Sequence, residues 1–443
     1  MKYVIIGGDA AGMSAAMQII RKDKQADVTV LEKGGIYSYG QCGLPYVVGG
    51  VIESTDRLIA RTVDTFRHKY NIDAKVYCEV KQVDVKKKTV SGMNTLTNEP
   101  FTFSYDRLLV ASGASPNVPS WKGATTENVH LLKTIPDAER ILASLDEKVK
   151  DVTIIGGGYI GLEAAENFKR TGRHVRIIQR SEHVAGMLDE EMAMYIHEEA
   201  EKQGIELILK ENVIEIIGKD KAEKVITDKH EYKTDFILVS VGIRPNTGFL
   251  MDTGVKMLKN GAVIVNEFLE SFIPDLYAAG DCATHYHLVK KEPAYIPLGT
   301  TANKQGRIAG MNMSGSRRAF KGVTGTSVLK FMDLSIATTG LSEKEAKTLQ
   351  LPYDCVHTTT KNKSGYYPDA APLHLKIVYR KDNGLLLGGQ ILGIEGADKR
   401  IDVLSTAIFN EMTIADLEDL DLCYSPPFNS VWDPLQQAAR RAK

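Results

Sequence analysis

Val4-Ile5-Ile6-Gly7-Gly8-Asp9-Ala10-Ala11-Gly12 opens this chain, and Val152-Thr153-Ile154-Ile155-Gly156-Gly157-Gly158-Tyr159-Ile160-Gly161 repeats the same device further on. Each stretch begins as a short β-branched run, which favours a buried strand. Each then breaks into glycines and continues in a helical stretch, Met13 to about Lys22 in the first copy and Leu162 to Arg170 in the second. A second strand follows each helix, Val28-Thr29-Val30-Leu31-Glu32 and Val175-Arg176-Ile177-Ile178. These are two βαβ units. Their glycines let the backbone approach a pyrophosphate, which the free N–H groups and dipole of the helix N-terminus attract. The chain is expected to be α/β, with two Rossmann-like dinucleotide-binding domains.

The second glycine loop is complete, and Gly156, Gly158, Tyr159, Ile160 and Gly161 are its expected nucleotide contacts. In the first, Gly7 and Gly12 are kept but Asp9 replaces the middle glycine. A carboxylate there would repel a pyrophosphate unless it pointed away. Glu32, with Lys33 beside it, ends the second strand where an acid accepts from ribose hydroxyls. The equivalent place in the second unit holds Gln179-Arg180. With no acid to select a bare 2′-hydroxyl and an arginine able to pair with a 2′-phosphate, NADPH, or tolerance of both nicotinamides, is expected. A solvated Arg180 is the competing reading. Two further strands end in glycine turns, giving Ala111, Ser112, Gly113 and Gly242 as candidate contacts.

The bulk numbers narrow the rest. A chain of 443 residues suggests about three domains. Its net charge of -1 gives no global case for binding nucleic acid or a membrane surface. No signal peptide and no apolar run of spanning length is visible, so a cytoplasmic location is expected. The five cysteines, Cys42, Cys78, Cys282, Cys355 and Cys423, show neither disulfide nor metal-ligand spacing, and no metal is expected.

Two nucleotide sites in one chain suggest electron relay from a nicotinamide to a flavin. Tyr277-Ala278-Ala279-Gly280-Asp281 is similar to the second flavin-contact motif of two-dinucleotide flavoproteins, which implies that Gly280 and Asp281 meet FAD. The whole chain resembles the pyridine nucleotide-disulfide oxidoreductases, in the branch with one active-site cysteine. Ser38-Tyr39-Gly40-Gln41-Cys42-Gly43-Leu44-Pro45-Tyr46 carries that resemblance. Glutathione-reductase-like members place a second cysteine where this chain has Val47, so Cys42 must cycle through a mixed disulfide or a sulfenic acid.

Oxidase and peroxidase members use the sulfenic acid and carry a histidine in the first glycine loop, at the position of Ala10 here. The chain resembles instead the coenzyme A-disulfide reductases, and persulfide reduction is a further alternative. That resemblance implies Ser14, Gln18 and Arg21 on one helix face, with Ser38, Gln41, Arg61, Asn303 and Lys304, as coenzyme A contacts. It implies a homodimer in which Tyr424 and Tyr367, or its neighbour Tyr366, reach the partner's site as proton donors. The implied domains are a flavin domain from 1–115 and 245–322, a nicotinamide domain from 116–244, and a C-terminal α+β dimerisation domain from 323–443.

Overall fold

The computed structural model describes residues 1–442. The chain divides into two compact units, one of Met1–Leu44, Glu53–Asn117 and Ile243–Val323, the other of Pro45–Ile52, Val118–Gly242 and Thr324–Lys443.

The first unit is built on a five-stranded parallel sheet in the order Leu276–Ala278, Arg107–Val110, Lys2–Ile6, Asp27–Leu31, Asp73–Lys75. Its central strands are apolar on both faces, as parallel strands covered on both sides must be. Ile5, Val30 and Leu109 share a core with the helix Ala10–Lys22. Val4, Ile6, Leu108 and Val110 share another with Val80, Val83 and Val90 of a three-stranded antiparallel sheet. The helix Gly299–Met313 lies directly against Ala10–Lys22. A Cβ on Gly306 would stand 2.1 Å from the Ala11 carbonyl oxygen, and one on Gly310 2.5 Å from that of Ala15. The two backbones touch because nothing larger than hydrogen lies between them.

The second unit contains another parallel sheet, ordered Ile205–Leu209, His174–Gln179, Asp151–Ile155, Phe236–Val239, Val129–His130. It also contains a five-stranded antiparallel sheet ordered Ser327–Phe331, Leu334–Gly340, Leu386–Gly393, Pro372–Arg380, Tyr353–Lys361, with the helix Ala397–Phe409 against it. The short segment Pro45–Ile52 belongs here too: a Cβ on Gly49 would meet the Asn167 side chain at 2.2 Å. Lys376 is fully buried, with Asp189 at 3.1 Å, Glu343 at 2.5 Å and Glu191 around its ammonium. Three carboxylates offset the cost of taking that charge out of water.

Both loop helices begin one turn earlier than their apolar periodicity suggests, at Ala10 and at Tyr159. The first turns carry little patterned hydrophobicity because their backbone N–H groups, not their side chains, are what the turn presents. Gly306→Ala should lower the unfolding free energy by about 1–3 kcal/mol, as overpacking does. Gly248→Ala, where the added Cβ meets nothing within 4 Å, should leave it within about 0.5 kcal/mol of the parent in the same urea titration.

Candidate redox and nucleotide sites

In the first glycine loop, Gly7 adopts φ +112°, and a Cβ on it would lie 2.1 Å from the Ala111 oxygen. A Cβ on Gly12 would lie 1.9 Å from the Gly7 oxygen. The turn therefore admits no side chain at either place, and the helix start is pressed onto the strand ends. Glu32 accepts from the Gly8 N–H at 2.8 Å and the Gly34 N–H at 2.7 Å. Each carboxylate oxygen keeps further lone-pair capacity for a ribose hydroxyl. Lys33 lies beyond, paired with Glu79 at 2.8 Å. Ser112 and Gly113 follow Ala111 and are held by Asn246, which accepts from the Ser112 hydroxyl through its carbonyl and donates to the Ser112 oxygen. Gly280, at φ +81°, donates to Gln305 and precedes Asp281, whose carbonyl accepts from the Tyr295 phenol. An uncapped helix start and an acid at the second strand end fit the ADP half of FAD.

The second glycine loop repeats this construction. Gly156 has φ +105°, and a Cβ on Gly161 would lie 2.0 Å from the Gly156 oxygen. Where Glu32 accepts from Gly8, Gln179 accepts from Gly157 at 3.0 Å. A Cβ on Gly158 would meet nothing within 4 Å, so the middle of this loop is open to a ligand. Tyr159 and Ile160 open the helix, with the Tyr159 phenol 2.6 Å from the Ser327 hydroxyl. Gly242 turns at φ +94° just after the strand Phe236–Val239. Arg180 is exposed and has no carboxylate partner among the described residues, while the nearby Glu182 is taken by Lys210 at 2.5 Å. The arginine thus remains available to an anion.

The cysteine loop lies beside the first glycine loop. Its backbone is held there by the Ser38 N–H donating to the Gly8 oxygen at 3.0 Å. Ser38 itself sits in the left-handed region at φ +49° and accepts from Ala60, the residue before Arg61. Arg61 in turn stacks over Tyr70. Asp9 reaches into this loop, accepting from Tyr39 N–H at 3.2 Å and Gln41 Nε2 at 2.6 Å. That removes the repulsion its position threatened.

Cys42 is exposed, in the single turn Gln41–Gly43, and Val47 is buried. Cys282, the rival thiol, is fully buried against the Val110 and Ala279 carbonyls, and burial pushes its pKa up to about 11. Burial also raises the thiols of Cys78 and of Cys355, the latter to about 11.

Of the expected coenzyme A contacts, Ser14 and Asn303 meet directly, hydroxyl to amide oxygen at 2.9 Å, across the two touching helices. Gln18 continues the same face. Arg21 and Lys304 are exposed and hold no carboxylate among the described residues. Two phosphate-bearing groups could therefore be met by free cations and amides at this groove.

In the second unit the Tyr424 phenol lies 3.1 Å from that of Tyr366, while Tyr367 faces the Lys363 ammonium. Tyr366 is thus the tyrosine paired with Tyr424, and Tyr367 stands apart from that pair. Between them the backbone turns, with the Tyr367 N–H donating to the Ser364 oxygen. Beneath the pair, fully buried Arg400 binds Asp433 at 3.0 Å, the Asn429 amide oxygen and the Asn362 carbonyl, each at 3.0 Å. Asn429 in turn donates to the Cys423 carbonyl and accepts from Ser364 through its own. One guanidinium thus ties together both tyrosine loops. Nothing in the sequence singled it out except a charge in the middle of a helix that needs an apolar face.

These features define a flavoprotein of the two-dinucleotide class. The chain belongs to the pyridine nucleotide-disulphide oxidoreductase family: residues 1–306 match it, and residues 326–435 match its dimerisation domain. It is 38% identical to the NAD(P)H sulfur oxidoreductase (CoA-dependent) of Pyrococcus abyssi, over 99% of this chain and 98% of that one. It is 34% identical to the coenzyme A disulfide reductase of Staphylococcus aureus (strain bovine RF122 / ET3-1), over the full length of both. The solved structure of a NAD-dependent persulfide reductase from A. fulgidus superposes with TM-score 0.96 at 36% identity, covering 99% of this chain and 82% of that chain. No helix among the described residues is long and apolar enough to cross a membrane, and no acid, histidine and cysteine cluster there could hold a metal.

Iodoacetamide at pH 7 should alkylate Cys42 in the native protein and spare Cys282 and Cys78, as read by peptide mass mapping. A thiol with pKa near 11 offers almost no thiolate at that pH. Labelling of Cys282 as fast as Cys42 would reinstate it as the redox candidate.

Proposed function

We propose that this protein reduces coenzyme A disulfide to two coenzyme A thiols at the expense of NAD(P)H, through a mixed disulfide on Cys42. One observation carries the reading: Cys42 alone is both exposed and set in a loop bonded to the first glycine turn. The similarity to coenzyme A disulfide and coenzyme A-dependent sulfur reductases supports the substrate.

The Cys42 thiolate attacks one sulfur of the disulfide, forming Cys42–S–S–CoA and expelling the first coenzyme A thiolate. Two electrons and a proton then cleave the mixed disulfide, releasing the second coenzyme A and restoring the Cys42 thiolate. FAD, when bound along Gly7–Gly12, Glu32, Ala111–Gly113 and Gly280–Asp281, would supply those electrons from the nicotinamide. Ser14, Gln18, Arg21, Asn303 and Lys304 hold the nucleotide end of coenzyme A, with Ser38, Gln41 and Arg61 nearer the sulfur. The Tyr366–Tyr424 pair donates the proton to the departing thiolate, since a phenol that accepts from its neighbour is the better acid. The bond from Tyr424 holds the Tyr366 phenol below its usual range, and the bond to Tyr366 raises that of Tyr424. In the homodimer the dimerisation domain implies, these phenols serve the partner's site.

A second reading, oxygen or peroxide reduction through a Cys42 sulfenic acid, has support in the chain's similarity to an NADH oxidase of Methanocaldococcus jannaschii. Ala10 leaves that chemistry without an imidazole in the first glycine loop.

Cys42→Ser should abolish coenzyme A disulfide turnover and the added coenzyme A mass of the purified protein, yet keep the flavin bound and reducible by NADPH. Persistent disulfide turnover would overturn the single-cysteine mechanism, and peroxide turnover as fast as disulfide turnover would move the protein to the sulfenic acid class. For the nicotinamide, kcat/KM with NADPH should equal or exceed that with NADH within about tenfold, or ~1.4 kcal/mol. Arg180→Ala should raise KM for NADPH while leaving that for NADH unchanged; an equal effect on both would remove Arg180 from phosphate recognition.

A further inference from the structure

The carboxylate at the middle of the first glycine turn remains unexplained by nucleotide binding. Asp9 stands where Gly158 stands in the second turn, and there the space is open. Its own side chain is spent elsewhere. It makes no side-chain cap to its helix, and instead receives the Tyr39 N–H and the Gln41 Nε2–H, at 3.2 and 2.6 Å. Gln41 is the residue bonded to Cys42.

The rest of the loop is held by backbone alone. Ser38 N–H reaches Gly8, Gly40 N–H reaches the Leu58 oxygen, and Ala60 N–H reaches the Ser38 oxygen. Those bonds fix the approach as far as Gly40. On the last step, from Gly40 to Cys42, the Gln41 side chain is held by its bond to Asp9.

We infer that Asp9 is a positioning residue for Cys42, a clamp between the flavin turn and the redox loop that sets the aim of the thiol. The inference rests on Cys42 being the nucleophile. It differs from flavin binding, because the hydrogen bonds that define the clamp, from Tyr39 and Gln41, lie in the cysteine loop.

The clamp has a charge state of its own. Burial is the main cause that raises the Asp9 carboxyl to about 6, against the lowering by its Gln41 and Tyr39 bonds, with Glu32 adding repulsion. Tyr37, whose ring packs on Gly8 and whose phenol burial raises, lies at the same turn. Above that pH, Asp9 is a carboxylate and accepts both bonds. Below it, the acid carries a proton of its own and accepts more weakly, so its hold on the Gln41 and Tyr39 N–H groups loosens.

The test uses the flavin-loaded enzyme after reduction to free Cys42, and reads the iodoacetamide rate at Cys42 against pH. That readout needs no coenzyme A, so it stands apart from the substrate assignment. The parent should show an inflection near pH 6 in addition to the thiol's own titration. Asp9→Asn keeps the shape and can accept from Tyr39, with the Gln41 amide reversed; it should keep the neutral-pH rate and lose that inflection. Asp9→Gly should keep its flavin but change the Cys42 rate and cut disulfide turnover about 10- to 100-fold, the scale of a small misplacement of a reacting atom. Parent-like alkylation and turnover in Asp9→Gly would overturn the clamp. So would an inflection persisting in Asp9→Asn, or loss of flavin from both variants, which would return the carboxylate to the flavin site.

Discussion

A carbonyl oxygen pressed against a glycine, twice over, is the constraint on which both nucleotide sites depend. Gly12 faces the Gly7 oxygen and Gly161 the Gly156 oxygen at distances no Cβ could share. That approach sets each helix down on its strand with no side chain capping its first-turn N–H groups. A helix end left uncapped is normally a cost, since its amides lose their partners. Here the loss is the means of binding, because the missing partners are the oxygens of a pyrophosphate. The same intolerance of bulk recurs between the helices Ala10–Lys22 and Gly299–Met313, so the helix that starts at the first turn cannot tilt away from it.

The two turns are built alike and finished differently. Gly8 and Gly157 both donate to a side chain at the end of the second strand, but the acceptor is the Glu32 carboxylate in one and the Gln179 amide in the other. A carboxylate accepts from ribose hydroxyls and repels a 2′-phosphate; an amide can also accept from a hydroxyl but, beside Arg180, does not repel the phosphate. At the middle position, Asp9 is turned into the cysteine loop while Gly158 leaves its space open. The first turn is thus joined to the residue that reacts, and the second is left to its ligand alone.

This difference explains what could be read from the residues and what could not. Local rules made the two βαβ units legible: β-branched runs, glycines at fixed spacing, an acid at a strand end. The singular position of Cys42 was legible as well, through the absence of a second cysteine at Val47. Asp9 was visible as an exception to the pattern, but its direction was not, because side-chain orientation is decided by a loop thirty-odd residues away in sequence. Tyr366 and Tyr367 could not be told apart for a similar reason. Adjacent residues in an irregular turn have no period to assign them a side, and the Ser364–Tyr367 backbone bond at that turn is invisible in composition.

The second unit shows how such irregular segments are made to hold their aim. Its loops at Asn362–Tyr367 and Cys423–Asn429 lie outside the strands, and they converge on a buried Arg400–Asp433 pair. A hydrophobic filler of the same volume would pack as well and would avoid the desolvation of two charges. It would also be indifferent to direction. A guanidinium has five donors in a rigid plane, and here they go to Asp433, Asn429, Asn362 and Gly396, so only one arrangement of both loops satisfies it. The phenols of Tyr366 and Tyr424 meet at 3.1 Å on exposed loops because the charge beneath them leaves those loops no second place to settle.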